Sequence, residues 1–490
     1  MENKSLKTKT LHGLGWSAID NVARMGITFI VSIILARLLS PDEYGLIGIL
    51  TIFISVFNAI VDSGFTNALI RKKEATEEDY NTVFYTNIIV SFVMSVSLFL
   101  CAKPIASFFN RHELIALTQV MSCIVIINAL CIVQKARTTK CIDFKTQTKV
   151  TFISSIISGC VGIVMAYAGF GVWSLVGQQI SMQLSTAVMF VFFNRWIPKL
   201  YFSRTSFNEM WSYGWKMLIS TLLDTTWKEL YQVVVGKFYS PATLGLYTRA
   251  NQFSQLFSSN LTSIIQRVSF PVLSSIQDDN VRLKQAYKRI IKTMMLPTFV
   301  LMYGMAAVSK PMILVLIGEK WINCVPFLIL ICINGALYPL HAINLNMLQV
   351  QGRSDLFLKL EIIKKIIAVG PLLLGVFIDI YIMVASSIVT GCIAYYLNAY
   401  YSGPFLNYSI KEQIKDIMPS FCVATTMAIP VWCISLIPLN HFILLIIQVV
   451  CGFAIVVIIC ECVKLPEYFE IKGIVLPKLK TVLKKIKSDE

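Results

Sequence analysis

Apolar runs of about 20 residues follow one another along this chain, divided only by short polar turns. That pattern leaves very few folds open. Within hydrocarbon every backbone N–H and C=O must be bonded inside its own segment, so such runs cross a bilayer as α-helices. Hydrophobic residues make up 56% of the 490 residues and charged residues 14%, whereas a soluble domain carries about 25% charged residues. No Gly/Ser hinge, low-complexity tract or polar linker interrupts the series. The chain reads as an all-α polytopic membrane protein. The runs segment into fourteen spans, beginning near Leu14, Tyr44, Asn81, Glu113, Gln147, Gly171, Trp211, Leu244, Tyr287, Cys324, Lys359, Ile380, Gln413 and His441. Asp20 and Arg24 interrupt the first run and no small-residue cleavage site follows it, so it is expected to stay as a span and not to be removed as a signal peptide.

The net charge of +16 raises the question of nucleic acid, but Lys and Arg fall between apolar runs and not in one basic domain. No nucleic-acid-binding motif is present, and membrane lipid is the better partner. With the N-terminus placed in the cytoplasm, only Arg37, Lys103, Arg111, Lys237, Lys310 and Lys320 fall in outer segments. Inner segments hold the clusters at Arg71–Lys73, Lys135–Lys149, Arg267–Lys292 and Lys464–Lys487. This bias predicts an even number of spans with both termini cytoplasmic. The thirteen cysteines lie mostly in apolar runs without CxxC spacing. They read as small polarizable fillers, with no disulfide or metal site implied.

The chain also repeats itself. Ser40-Pro41 followed by Gly45-Leu46 returns as Ser240-Pro241 followed by Gly245-Leu246. Ala102-Lys103-Pro104 is echoed by Ser309-Lys310-Pro311. Six spans separate the copies, so both enter the membrane in the same sense, as in transporters built from parallel repeats. The expected organisation is one lobe over residues 1–200, a second over 201–405, two additional spans over 406–463, and a basic amphipathic tail over 464–490 on the inner leaflet. The repeated turns are expected on the outer face.

Ionisable residues inside spans are expensive and face a cavity or a partner. Asp20 and Arg24 lie four apart on span 1, Asp62 on span 2, Lys216, Asp224, Lys228 and Glu229 on span 7, and Arg249 on span 8. Lys216 can snorkel to the inner surface. Two readings stay open for the rest. One is a set of helix-to-helix ion pairs. The other is a hydrated cavity in which Arg24, Lys228 and Arg249 hold an anionic group such as a phosphate or pyrophosphate. Asp20, Asp62, Asp224 and Glu229 would then balance charge or take part in Na+ or H+ coupling. No cofactor, metal site or catalytic constellation is expected.

Several segments resemble Wzx-type polysaccharide flippases of the multidrug/oligosaccharidyl-lipid/polysaccharide exporter superfamily. They are Asp62-Ser63-Gly64-Phe65-Thr66-Asn67-Ala68, Leu35-Ala36-Arg37-Leu38-Leu39-Ser40-Pro41, Leu244-Gly245-Leu246-Tyr247-Thr248-Arg249-Ala250 and Phe270-Pro271-Val272-Leu273-Ser274. The resemblance covers roughly residues 10–400. It implies a two-lobed helical bundle working by alternating access. The implied substrate is a polyprenyl-pyrophosphate-linked oligosaccharide, moved across a bacterial inner membrane for cell-surface polysaccharide synthesis, with other polysaccharide-assembly proteins as partners. It also implies a cavity lined by basic residues from the first two spans of each lobe. Arg24 and Arg249 match that expectation, and Lys228 follows it. Span 2 lacks a buried cation, a departure from the pattern. A drug/cation antiporter of the same superfamily would want carboxylates to dominate the cavity. A membrane polymerase or ligase would want a long outer catalytic loop, and here the loops near Lys103–His112 and Lys310–Asn323 are short. His12, His112, His341 and His441 show no base–nucleophile spacing.

Overall fold

The computed structural model describes residues 25–62, 64–72, 74–141, 143–473 and 477, with the side chains of Ile264, Arg267, Val268 and Ser354 excepted. Every regular element among them is a helix. Asp20, Arg24 and most of the basic tail lie outside the described residues. The chain forms two compact units that divide between Gly245 and Leu246.

The first unit contains α1 (Met25–Leu38), α2 (Pro41–Asp62), the short α3 (Phe65–Arg71), α4 (Glu77–Leu100), α5 (Ala102–Phe109), α6 (Leu114–Met121), α7 (Cys123–Lys140), α8 (Phe144–Tyr167), α9 (Trp173–Asn194) and the long α10 (Arg204–Phe238). Helix α8 packs along α9, α7 along α4 and α9, and α2 along α10. Helix α11 (Pro241–Ser274) begins in this unit and runs on into the second. There follow α12 (Asn280–Ala307), α13 (Ser309–Leu316), α14 (Cys324–Gly335), α15 (Tyr338–Val350), α16 (Ser354–Phe377), α17 (Ile380–Ser402), α18 (Ile410–Ile434) and α19 (His441–Cys462). Here α12 packs on α14 and α18, α16 and α15 on α17, and α19 on α18 and α13.

Ten helical stretches among the described residues are long and apolar enough to cross a membrane, with α6–α7 and α14–α15 each counting as one. The protein is therefore a multi-pass membrane protein. Helices α10, α11 and α16 are long but too polar to qualify. Their polarity comes from Lys216, Asp224, Lys228 and Glu229 on α10, from the Ser/Thr/Asn/Gln-rich stretch of α11, and from Glu361, Lys364 and Lys365 on α16.

The repeated turns are helix starts. At Ser40 the hydroxyl and the backbone N–H both donate to Glu43 Oε2, at 2.9 and 2.6 Å, and Pro41 takes the first helical position, where no N–H is needed. The Ser40 hydroxyl also accepts the Glu43 N–H at 3.4 Å, and Ser240 repeats this contact, accepting the Thr243 N–H at 3.1 Å. The glycine four residues on has a different purpose. A Cβ on Gly45 would lie 1.7 Å from the Pro241 carbonyl oxygen, and one on Gly245 would lie 1.9 Å from that of Pro41. The two copies of the repeat thus pack on each other, backbone to backbone, where α2 and α11 begin. Lys237 donates to the Phe108 carbonyl, and Arg111 lies 4.0 Å from Asp42. Two of the basic residues assigned to outer segments, Arg111 and Lys237, thus lie near these turns.

At the other end of α2 the chain turns through Gly64 at φ 69°, a left-handed conformation that suits glycine. A Cβ there would also meet the Gly214 carbonyl oxygen of α10 at 2.5 Å. Phe65 beyond it is buried against Phe207 and Trp211 of α10, with ring centroids 6.1 and 6.0 Å apart. Helix α10 therefore touches the start of α2 at one end and the α2–α3 turn at the other.

Candidate functional site

Helix α10 carries four of the eight charges expected within spans: Lys216, Asp224, Lys228 and Glu229. Asp224 and Lys228, one turn apart, form an ion pair at 2.7 Å, and both side chains are more than half exposed, at 52% and 68%. They lie about 30–36 Å from the start of α10, at 1.5 Å per residue. Within a membrane such a pair faces the bundle interior or a water-filled cavity, because lipid tails solvate neither ion. Glu229 points to the other side of the helix. It is half-buried, accepts from Gln232 Nε2 at 2.6 Å, and lies beside Ser55 of α2. Asp62 accepts from the Thr66 hydroxyl one turn on, which fixes the α2–α3 turn.

Arg249 is placed differently. It is 3% exposed, inside the second unit. Its Nη1 donates to Gln252 Oε1 at 2.8 Å, and its guanidinium lies 5.4 Å from the centre of the Trp321 ring. Within the first unit the structure thus pairs Asp224 with Lys228 and seats Glu229 on Gln232; within the second it gives Arg249 a packed setting.

Two polar cavities were not foreseen in the sequence. The first unit encloses about 280 Å³ among Thr28, Asn58, Ser155, Ser158, Gln178 and Gln183, with Asn128 donating to Asn58 at 3.1 Å. The second unit holds a cavity of about 450 Å³ between α11, α15, α16 and α17. Glu361 and Lys364 line it as an ion pair one turn apart on α16, and His341 Nδ1 lies 3.3 Å from the Asn398 amide. Neither Glu361 nor Lys364 was among the ionisable residues singled out within spans. Helix α16 starts at Ser354, so Lys364 sits about 15 Å along it at 1.5 Å per residue. The i,i+3 Glu–Lys spacing behind a start at Ser354 was the available signal.

The segments expected in the cytoplasm also gather. In the first unit Lys72 bridges Asp79 at 3.0 Å and Glu209 of α10 at 2.8 Å. Burial opposes its charge, but the hydrogen bonds to Glu209 and Asp79 outweigh this and raise its pKa above the ordinary lysine value. Glu77 receives Arg137 at 3.2 Å and the Trp196 indole N–H at 2.7 Å.

A sequence profile of polysaccharide biosynthesis proteins matches residues 34–326. Among individual proteins, the chain is 25% identical over 354 residues to the teichuronic acid biosynthesis protein TuaB of Bacillus subtilis (strain 168), covering 72% of this chain and 73% of that one. It is 25% identical over 334 residues to the succinoglycan biosynthesis transport protein ExoT of Rhizobium meliloti (strain 1021), with 68% and 67% covered. It is 24% identical over 377 residues to the lipopolysaccharide biosynthesis protein WzxC of Escherichia coli (strain K12), covering 76% of each. In fold it is similar to the lipid II flippase MurJ in an inward closed conformation, with TM-score 0.72, 14% identity, and 91% of this chain and 98% of that one covered. It is also similar to an inward-facing multidrug resistance MATE family transporter of the MOP superfamily, with TM-score 0.56, 17% identity, and 79% and 96% covered. At these identities the two structures speak to the fold alone. The profile match spans well over half of the chain, and the chain belongs to the polysaccharide biosynthesis protein family.

Proposed function

We propose that this protein flips a polyprenyl-pyrophosphate-linked oligosaccharide across the bacterial inner membrane by alternating access, for cell-surface polysaccharide synthesis. The observation that carries this reading is membership of the family, joined to relatives named for the synthesis or transport of surface glycans. The fold supports a transporter but does not select the cargo, because solved structures similar to this chain include both a lipid flippase and a drug transporter. The sequence relatives favour the glycan. In this reading there are fourteen spans with both termini cytoplasmic, and spans 1–6 and 7–12 form parallel lobes. No residue is catalytic.

Within that frame Lys228 is the cation best placed to meet a pyrophosphate, being exposed at mid-helix beside Asp224. Arg24 and Arg249 complete the proposed basic set. Asp20, Asp62, Asp224 and Glu229 balance charge or serve coupling to Na+ or H+. The test is complementation of a strain lacking this gene. Wild-type protein restores surface polysaccharide. Lys228→Ala is expected to reduce it by about tenfold or more, the scale of losing a charge-assisted bond, at unchanged protein level. Normal output from Lys228→Ala removes it from the cargo site. Normal surface polysaccharide in the deletion strain itself removes the proposed function.

A further inference from the structure

We infer that the cavity of the second unit is the site that recognises the sugar portion of the cargo, a proposal that rests on the function just stated. The argument starts from its donor and acceptor chemistry. Ser259, Thr262, Ser263 and Gln266 recur at i, i+3, i+4 and i+7 on α11, so one face of that helix lines the cavity with neutral polar groups. The Thr262 and Ser263 hydroxyls donate to the carbonyls of Ser258 and Ser259, at 2.7 and 2.9 Å, which leaves their oxygens as acceptors. Across the cavity stand Tyr338 and His341 of α15, and the third wall brings the Glu361–Lys364 pair of α16.

This composition discriminates between ligand classes. A phosphate or pyrophosphate calls for cations in excess, but among the described lining residues the one lysine is matched by Glu361. A metal or organic cation calls for the reverse, and Lys364 opposes it. A lipid tail or an apolar drug calls for walls that are mostly hydrocarbon. A sugar presents many hydroxyls, each both donor and acceptor, around apolar ring faces. Hydroxyls, amides, an imidazole and a neutralised ion pair satisfy the former, and the exposed ring of Tyr338 offers a face for the latter. A volume of about 450 Å³ falls within the usual range for small-molecule pockets, about 300–1,000 Å³, and suits a short run of sugar rings. Glu361 and Lys364 sit about 10 and 15 Å along α16 from Ser354. The proposed topology puts that start at the cytoplasmic face, from which a newly made glycan arrives.

The test uses full-length protein in lipid nanodiscs and two ligands: lipid-linked oligosaccharide extracted from the native host, and the same polyprenyl pyrophosphate without sugar. Tyr338→Ala and Gln266→Ala change exposed side chains, so folded protein is expected from both. Each should weaken binding of the oligosaccharide lipid by about tenfold, as the loss of one or two hydrogen bonds or a ring contact would, and leave binding of the sugar-free lipid unchanged. Unchanged affinity for the oligosaccharide lipid, or equal loss for both lipids, overturns the assignment. Wild-type protein that binds both lipids alike overturns the sugar assignment alone, and wild-type protein that binds neither overturns the flippase reading together with it. Wild-type protein that prefers the glycan while both variants keep that preference overturns the pocket assignment alone.

Discussion

Gly245 has a proline carbonyl where any other residue would have a side chain. Built there, a Cβ falls 1.9 Å from the Pro41 oxygen and 2.9 Å from its carbon. Backbone atoms cannot swing aside as a side chain can, so Gly245→Ala is expected to force the helix starts of α2 and α11 apart. A loss of about 1–3 kcal/mol is the usual scale of overpacking, read as a lowered unfolding temperature of the purified protein and lowered yield. Gly370→Ala, on α16 with nothing within 4 Å, is the control and should be neutral. Equal stability of the two variants would refute the backbone contact. The Ser-Pro-x-x-x-Gly pattern was legible as a repeat, and its serine and proline as a helix start. That its two copies meet was not legible, because no periodicity within one segment reports which distant segment it touches. Arg249 shows the same limit. Its cost inside a span could be read from the sequence, whereas the ring that covers it belongs to Trp321, in another element.

At the scale of elements, α18 and the segment after α19 are fastened to α12 by charge. Lys288 reaches Glu412 at 2.9 Å and Asp416 at 3.0 Å, Lys292 reaches Glu467 at 2.8 Å, and Arg289 reaches Glu470 at 3.0 Å. Asp416 also accepts from Tyr408 at 2.8 Å, and the Glu467 side chain is only 6% exposed. Exposed pairs are worth little, so the inner members decide the strength of the clamp. Lys292→Ala leaves Glu467 buried without its nearest cation, and a loss of about 3 kcal/mol is expected, the scale of breaking a buried pair from one side. Lys292→Ala combined with Glu467→Gln should recover part of that loss, since the orphaned charge goes too. Thermal unfolding of both variants checks this. A double variant no more stable than the single one would show that the ion pair is not the cause. The sequence placed Lys288, Arg289 and Lys292 in an inner segment but did not show which carboxylates they meet, because register across a helix pair is set by packing. It misjudged α16 for a related reason. The helix starts at Ser354, ahead of the span start read near Lys359, so Glu361 and Lys364 passed as a span's inner edge and are wall.

Over the whole molecule, helices between short turns were legible because the bilayer imposes them, whereas which helices pack together was not, because packing joins segments distant in sequence. Helix α11 passes through Gly245 without a break, and α10, the first helix of the second repeat, packs with α2, α3 and α4 in the first unit. That packing yields a test of the proposed cycle. At the end of α10 near its start, Lys72 joins Asp79 to Glu209, and Phe65 seats against Phe207 and Trp211. At its far end the Pro241 turn lies against Gly45. Alternating access requires α10 to leave its neighbours at one end while it keeps them at the other. Lys72→Cys with Glu209→Cys is therefore introduced after the exposed native cysteines, among them Cys101, Cys141 and Cys462, are replaced by serine. Joining the two thiols with a short bifunctional reagent should stop surface polysaccharide export, and a long flexible reagent should leave part of it. Each single-cysteine variant treated alike should export normally. Full export by protein shown to be cross-linked through the short reagent would mean that α10 stays on α3 and α4 throughout the cycle. The moving boundary would then have to lie elsewhere than at the Lys72–Glu209 contact.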